Sequence, residues 1–230
     1  MYLLSLDTAT NSGGVALSRN AEVVSVWMCK TPMRYSERVI PWIENVLDAH
    51  GLRPHQLDAL AVALGPGSFT GIRIGMATAK ALAQSLEKPL VGISTLEALA
   101  YRYRWSDRLI VPWIDARRQQ VFGAAYRIPG LDTEEVLPPS VDAPARWLKK
   151  LPEERCLLVG DGAEFYRSTI EAERPGDQVL AGDNQIVESL CQLGYFRYTR
   201  GRTSAPESLQ ALYVRPSDAE IGQTPQGARP

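Results

Sequence analysis

The stretch GPGSFTGIRIG, residues 65–75, decides how this chain is read. It follows an apolar run, LDALAVALG (57–65), and opens a helical one, SFTGIRIGMATAKALAQSL (68–86). A glycine-rich turn between a strand and a helix is where backbone N–H groups cradle phosphates. The P-loop pattern G-x-x-x-x-G-K-[ST] needs a lysine for the phosphates and a hydroxyl for Mg²⁺. Here Gly65 and Gly71 stand one residue too far apart, and Ile72 and Arg73 follow. The dinucleotide pattern G-x-G-x-x-G finds Gly65 and Gly67, but Thr70 holds the third place. A turn at Gly65-Pro66-Gly67, with Ser68 capping the next helix, accounts for these residues better.

The helix that follows carries Gly71, Gly75, Ala79 and Ala83 at every fourth position. Glycine in a helix costs roughly 1 kcal/mol against alanine, so the stripe points to a close approach by another backbone. Only Arg73 and Lys80 are charged between Ser68 and Leu86, so more than one face is to be covered. One face suits the helix's own sheet. The other, near Ile72, Met76 and Lys80, suits either a second protein or a second lobe of the same chain. Periodicity does not separate the two.

Working outward, YLLSLDT (2–8), GGVALS (13–18) and EVVSVWM (22–28) read as strands. Residues 36–50 carry Val39, Ile40, Ile43, Val46 and Leu47 at helical spacing, with Gly51 as the stop. Pro41 either kinks this helix or begins it. PLVGI (89–93) is a short strand and STLEALAYRY (94–103) a helix. Three strands followed by strand–helix alternation imply a mixed α/β sheet with an antiparallel meander. A second lobe starts near Arg108, with RLIVPWIDA (108–116) and QQVFGAAYR (119–127) as a strand pair and RCLLVGDG (155–162) as a further strand. Helical patterns fill about 143–150, 163–173 and 184–198. This lobe shows fewer clear strands than the first, and no internal sequence repeat is visible. The division drawn is 1–107, 108–216, and a polar tail at 217–230 expected to be disordered.

The 230 residues are 45% hydrophobic and 22% charged, with a net charge of −1. No global field therefore draws the chain to nucleic acid or membrane. Cys29, Cys156 and Cys191 have no C-x-x-C spacing, which fits a reducing cytoplasm and argues against a disulfide framework or a zinc site. No apolar run reaches the roughly 20 residues of a membrane span.

Candidate chemistry is sparse. LDTATNSGG (6–14) places Asp7, Thr8, Thr10 and Ser12 between two strands. Such a hairpin grips phosphates through backbone N–H groups in some proteins and is an ordinary turn in others. It resembles the first phosphate loop of the actin, sugar-kinase and Hsp70 class. DARRQQ (115–120) stands where that class carries its second phosphate loop, with Arg117 and Arg118 in place of small residues. Those arginines suit an anion or an ion pair with Asp115. His50 and His55 have no metal-ligand spacing, and Ser68 has no nucleophile-elbow context. The aromatic–basic runs YRYRW (101–105) and YFRYTRGR (195–202) suit either RNA contact or solvated helix ends.

Taken together, SLDTAT, YSERVIPWIENVL, GPGSFTGIRIGMATAKALA, PLVGISTLEALA and PWIDARRQQVFGAAY resemble the bacterial TsaB (YeaZ) family, from the N-terminus to about residue 127 and weakly at LYVRP (212–216). The resemblance implies a two-lobed actin-like ATPase (ASKHA, ribonuclease H-like) α/β fold with mixed sheets flanked by helices. It implies a cytoplasmic role in forming threonylcarbamoyl-adenosine, t6A, at adenosine 37 of tRNAs that read ANN codons. The family is a non-catalytic paralogue of TsaD, pairs with TsaD, and is joined by the ATPase TsaE. In isolation a homodimer is implied, and tRNA is met through the complex. TsaD carries a metal-binding N-H-M-E-G-H after its own P-L-x-G-x strand. The matching stretch here runs from Ser94 to Leu99, with Thr95 and Leu99 in place of the histidines and Glu97 retained. One such carboxylate does not hold a catalytic ion.

The resemblance therefore implies no metal and no catalytic residue. Asp7, Thr8, Thr10, Ser12 and Arg118 are residual phosphate-loop positions. The isolated chain is expected to carry no cofactor, with ATP or ADP shared at the interface with TsaD. Partner contact is expected at Val39, Ile40, Ile43, Val46, Leu47, Phe69, Ile72, Arg73, Met76 and Lys80. Two rival readings remain: an autonomous actin-like ATPase or small-molecule kinase, and a metallopeptidase of the glycoprotease-like kind.

Overall fold

The computed structural model describes residues 1–30 and 35–215; the expectation about the tail at 217–230 lies outside them. The first sheet is built on β1 (Tyr2–Asp7), which is buried from Leu3 to Asp7. β1 pairs antiparallel with β2 (Gly14–Arg19), which pairs antiparallel with β3 (Glu22–Met28). On its other side β1 runs parallel to β4 (Ala59–Ala63), and β4 to β5 (Leu90–Ile93). Two helices make the crossovers: α1 (Tyr35–Asp48), with Pro41 in its interior, and α2 (Phe69–Ser85). The order is β3-β2-β1-β4-β5.

The second sheet repeats this path. β6 (Leu109–Asp115) is central, β7 (Val121–Arg127) and β8 (Glu134–Asp142) follow antiparallel, and β9 (Cys156–Val159) and β10 (Gln178–Leu180) run parallel, in the order β10-β9-β6-β7-β8. α4 (Pro144–Leu148), α5 (Asp161–Phe165) and α6 (Arg167–Glu173) supply its connections. Each sheet thus has five strands, and the expectation of fewer in the second half is corrected. The two strands that periodicity misses have physical reasons to be missed. β8 contains Pro138 and Pro139, which remove ladder donors and are tolerated because β8 is an edge strand. β10 is three residues long.

β6 shows how the two halves join. Leu109, Val111 and Trp113 face a core with Trp147 and Leu158 on one side of the second sheet. Ile110 and Ile114, at the alternate positions, join the large core of the first half. α3 (Thr95–Tyr101) is buried along its whole length and packs on β6 and β7. The last helix, α7 (Val187–Thr199), lies in the second half of the sequence division but returns to the first sheet. There Ser5 Oγ donates to the Val187 carbonyl at 2.9 Å, and Gly194 lies so close to Leu3 and Ala61 that a Cβ would meet them at 2.9–3.1 Å. No helix among the described residues is long and apolar enough to cross a membrane.

Candidate functional site in the cleft between the halves

The loops singled out from sequence converge on one cleft of about 760 Å³, at the carboxyl ends of the central strands. Its walls include Thr10 and Asn11 after β1, Pro66 to Ser68 before α2 with Phe69 at its start, Asp115 at the end of β6 with Ala116 to Arg118 after it, and Asp161 at the start of α5. Carboxyl ends of strands are where open α/β sheets bind ligands. That rule was the available signal for Asp161, Phe165 and Asn184, which also line the cleft and which residue patterns alone did not single out.

The β1–β2 hairpin is organised from within. Asp7 is wholly buried and accepts from Ala9 N at 2.8 Å, Thr10 N at 3.3 Å and Thr10 Oγ1 at 2.5 Å. Burial pushes its pKa up to about 6, against the opposing pull of those three hydrogen bonds. Ser12 N donates to Thr10 Oγ1, and Gly13 N donates to the Tyr35 hydroxyl at 3.0 Å, which itself donates to the Thr10 carbonyl at 2.8 Å. Thr8 Oγ1 donates to the Gly71 carbonyl at 2.6 Å. The hydroxyls of Thr8 and Thr10 and the amides of Ala9, Thr10, Ser12 and Gly13 are thus engaged inside the chain. Asp7, Thr8, Thr10 and Ser12 are all buried. Of this hairpin, Ala9, Thr10 and the exposed Asn11 reach the cleft wall.

The small-residue stripe of α2 has the same occupant. A Cβ on Gly71 would lie 1.8 Å from the Thr8 carbonyl oxygen, and one on Gly75 would lie 2.4 Å from Thr8 Oγ1. What approaches these glycines is Thr8 of the chain's own hairpin, with its backbone at Gly71 and its side chain at Gly75. Ser68 caps α2 as expected, accepting from Gly71 N at 3.2 Å.

The β6–β7 turn holds Arg117, Arg118 and Gln119 with φ of 59°, 52° and 58°, in the left-handed region. Arg117 N donates to Asp115 Oδ1 at 2.9 Å, and its guanidinium lies 3.2 Å from Asp115 Oδ2. That is the ion pair expected as one alternative. Arg118 is exposed at the cleft wall. The segment Leu212–Arg215 crosses the mouth. Leu212 N donates to the Leu64 carbonyl at 2.8 Å, and the Tyr213 ring lies 5.2 Å from Phe69. Arg215 then donates to the Ala116 carbonyl at 2.8 Å and to Gln120 Oε1. One short segment therefore touches both walls.

The position of a metal centre is closed. Thr95 and Leu99 are fully buried, and Glu97 receives the Arg197 guanidinium on both oxygens at 2.6 Å, with Thr133 Oγ1 at 2.6 Å from Oε1. Arg197 also donates to the Gly92 carbonyl at 2.7 Å. The cation Glu97 holds is an arginine. No group of three metal-ligating side chains occurs among the described residues.

Of the ten residues expected at a partner interface, Val39, Ile43, Val46, Leu47, Ile72 and Met76 are buried in the chain's own core. The core-facing stripe of an amphipathic helix is its apolar one, so selecting apolar positions selects the inner face. Ile40 is 44% exposed, Arg73 is exposed with its guanidinium 4.0 Å over the Phe69 ring, and Phe69 and Lys80 are half-buried. α1 and α2 pack side by side, and Pro41, Glu44, Thr70 and Ala77 are exposed on them as well.

A family model described as TsaD, tRNA N6-adenosine threonylcarbamoyltransferase, matches residues 30–191. The tRNA threonylcarbamoyladenosine biosynthesis protein TsaB of Bacillus subtilis is 36% identical over 173 residues, covering 74% of this chain and 76% of that protein. The protein of the same name from Escherichia coli is 31% identical over 229 residues, covering 94% and 95%. The chain belongs to the TsaB family. A solved TsaB-family structure, YeaZ from Pseudomonas aeruginosa, superposes with a TM-score of 0.79 at 26% identity over 92% of this chain and 99% of that one. The fold is the two-lobed actin-like one. An activator of 2-hydroxyisocaproyl-CoA dehydratase from Clostridium difficile shares it at a TM-score of 0.51 and 11% identity. The superposition with YeaZ spans both five-stranded sheets of this chain.

Proposed function

We propose that this chain is a non-catalytic partner subunit that binds and activates TsaD in the complex that places threonylcarbamoyl on adenosine 37 of ANN-decoding tRNAs. The observation that carries the reading is the Arg197–Glu97 pair. It fills with an internal cation the place where the catalytic paralogue keeps a metal ion, in a chain whose relatives are named for threonylcarbamoyl-adenosine biosynthesis. The outer face of α1 and α2 supports a partner role, because Ile40, Phe69, Arg73 and Lys80 reach the surface on adjacent helices. A second copy of this chain is the expected occupant of that face when TsaD is absent. TsaE and a shared nucleotide belong to the assembled complex in this reading.

The cleft is the one observation favouring an autonomous kinase or ATPase, and the internally bonded hairpin opposes it. Size exclusion of the chain with its cognate TsaD, followed by a threonylcarbamoyl-transfer assay on unmodified tRNA, tests the proposal. Co-elution and a gain of transfer over TsaD alone are expected. Transfer by TsaD that is indifferent to this chain overturns it.

A further inference from the structure

The last described stretch of the chain is fastened to both walls of the cleft, and the two fastenings differ in kind. After α7 the chain runs along β5, the edge strand of the first sheet. Ser204 and Leu90 exchange backbone hydrogen bonds at 2.8 and 3.2 Å, and Leu209 is buried where Gly92 has no side chain. Leu212 N then donates to the Leu64 carbonyl at 2.8 Å, and the exposed Tyr213 holds its ring 5.2 Å from Phe69. All of these partners belong to the first half. Beyond Tyr213 the described bonds reach the second half through one side chain. Arg215 donates to the Ala116 carbonyl at 2.8 Å and to Gln120 Oε1, with its guanidinium 5.4 Å over the Phe122 ring.

Those two acceptors bracket a strained turn. Arg117, Arg118 and Gln119, between them, have φ of 59°, 52° and 58°. A side chain is disfavoured in this region, and such residues persist only where their surroundings hold them. Inside the turn, Ala116 N donates to the Gln120 carbonyl and Gln120 N to the Arg117 carbonyl, each at 3.0 Å. From outside, the Arg215 fork joins the residue before the triplet to the residue after it. A planar guanidinium spans two acceptors in this way, and a single ammonium does not.

Elsewhere around the cleft the halves are joined by the chain itself. It passes between them at residues 102–108, from α3 to β6, and at residues 181–186, from β10 to α7. Arg102 ties these passages together, donating to Asp183 Oδ1 at 2.8 Å and to the Asp183 carbonyl at 3.1 Å. Next to Asp183, the buried Asn184 lines the cleft and accepts from Asp161 N at 3.0 Å. Ile110 and Ile114 add a shared core. The halves are therefore held firmly, and what can move at little cost is the strap, fastened to the second half by one half-buried side chain.

We propose that Leu212–Arg215 is a latched strap over the cleft. With Arg215 fastened, it closes the mouth and keeps the β6–β7 turn left-handed. With Arg215 released, the turn relaxes and the mouth opens to solutes. The contact is autoinhibitory: Arg215 takes the Ala116 carbonyl, Gln120 Oε1 and one side of the Phe122 ring, so a ligand that uses any of them must displace it. The device depends on the cleft and not on which partner the chain serves.

The test follows the full chain by alkylation with N-ethylmaleimide, read cysteine by cysteine through peptide mass mapping. Ala116→Cys places a reporter on the cleft wall at a position that is 4% exposed. Cys156 and Cys191, both buried, report global unfolding in the same samples. Arg215→Ala is expected to speed alkylation at position 116 about tenfold and Tyr213→Ala about fivefold, with Cys156 and Cys191 unchanged. Tyr213→Ala is the deciding variant, because that ring rests on Phe69 of the first half and its loss leaves Arg215 in the chain. A rise with Arg215→Ala alone means that the side chain merely covers Ala116 and overturns the strap. A parallel rise at Cys156 and Cys191 overturns it, as does no rise at all. Hydrogen exchange on the chain without the reporter gives a second reading. The Gln120 amide is expected to exchange about fivefold faster in Arg215→Ala, and an unchanged rate overturns the coupling of latch and turn.

Discussion

Thr8 lies in the groove that Gly71 and Gly75 leave on α2, its hydroxyl 2.6 Å from the Gly71 carbonyl and its own carbonyl where a Gly71 side chain would have to be. The two glycines differ in what they would strike. At Gly71 a methyl meets backbone at 1.8 Å, which cannot move without dislodging β1. At Gly75 it meets the end of a threonine side chain at 2.4 Å, which can rotate at the loss of one hydrogen bond. Gly71→Ala is therefore expected to destabilise by about 3 kcal/mol, at the upper end of overpacking, and Gly75→Ala by about 1 kcal/mol, partly offset by helix propensity. Urea unfolding of both variants checks the order. Equal midpoints would show that the hairpin does not lean on the helix.

Glu97 and Arg197 supply a second prediction. Glu97 is 6% exposed, so removing its cation leaves a nearly buried carboxylate unpaired. Arg197→Met is expected to cost about 3–5 kcal/mol, whereas Glu97→Leu with Arg197→Met recovers most of that, because a buried pair is close to break-even against apolar replacements. Thermal unfolding of the two single variants and the double variant gives the coupling. Additive losses would mean that the pair is not a unit.

The order of elements was legible because the strands and helices alternate with clear periods and stop at Gly and Pro. The duplicated topology was not. Its second copy retains the path of the chain without the side chains: β8 carries Pro138 and Pro139 at an edge, β10 is three residues long, and the two halves share no sequence pattern. The return of α7 to the first sheet was also hidden, since a helix period says which face is buried and not against what. At the site, GPGSFTGIRIG was readable as a turn and cap, because that depends on local backbone chemistry. What approaches Gly71 was unreadable, because the answer, Thr8, comes from 63 residues earlier. The same limit misplaced the face of α1: Val39, Ile43, Val46 and Leu47 are apolar because they are inside.

Asp7 yields a pH prediction with a definite sign. Its folded pKa of about 6 stands above the usual 3.8, so between those values the folded state binds the extra proton. Stability from this group is fully present below about pH 4 and is lost as pH rises through about 6. Asp7→Asn removes the titration. The stability of the wild type relative to Asp7→Asn is expected to fall by roughly 3 kcal/mol from pH 3 to pH 7, measured by denaturant titration at several pH values. A difference that is flat or rises with pH would show that the carboxylate is stabilised, not strained, by its loop.

The outer face of α1 and α2 gives the last prediction. Ile40 is 44% exposed on α1, and Arg73 is exposed on α2 with its guanidinium held over Phe69. Neither supports the core, so Ile40→Glu and Arg73→Glu are each expected to change stability by no more than about 0.5 kcal/mol. Both place a charge where the proposed partner would bury apolar and cationic groups. Each should weaken association with TsaD at least tenfold, if the face is an interface whose centre is desolvated. Val39→Ala serves as the contrast: Val39 is buried, so its loss costs core stability and leaves the surface unchanged. Size exclusion and calorimetry against TsaD, with unfolding midpoints on the same preparations, separate the two effects. If Val39→Ala abolishes association while Ile40→Glu and Arg73→Glu associate like the wild type, the partner does not dock on this face.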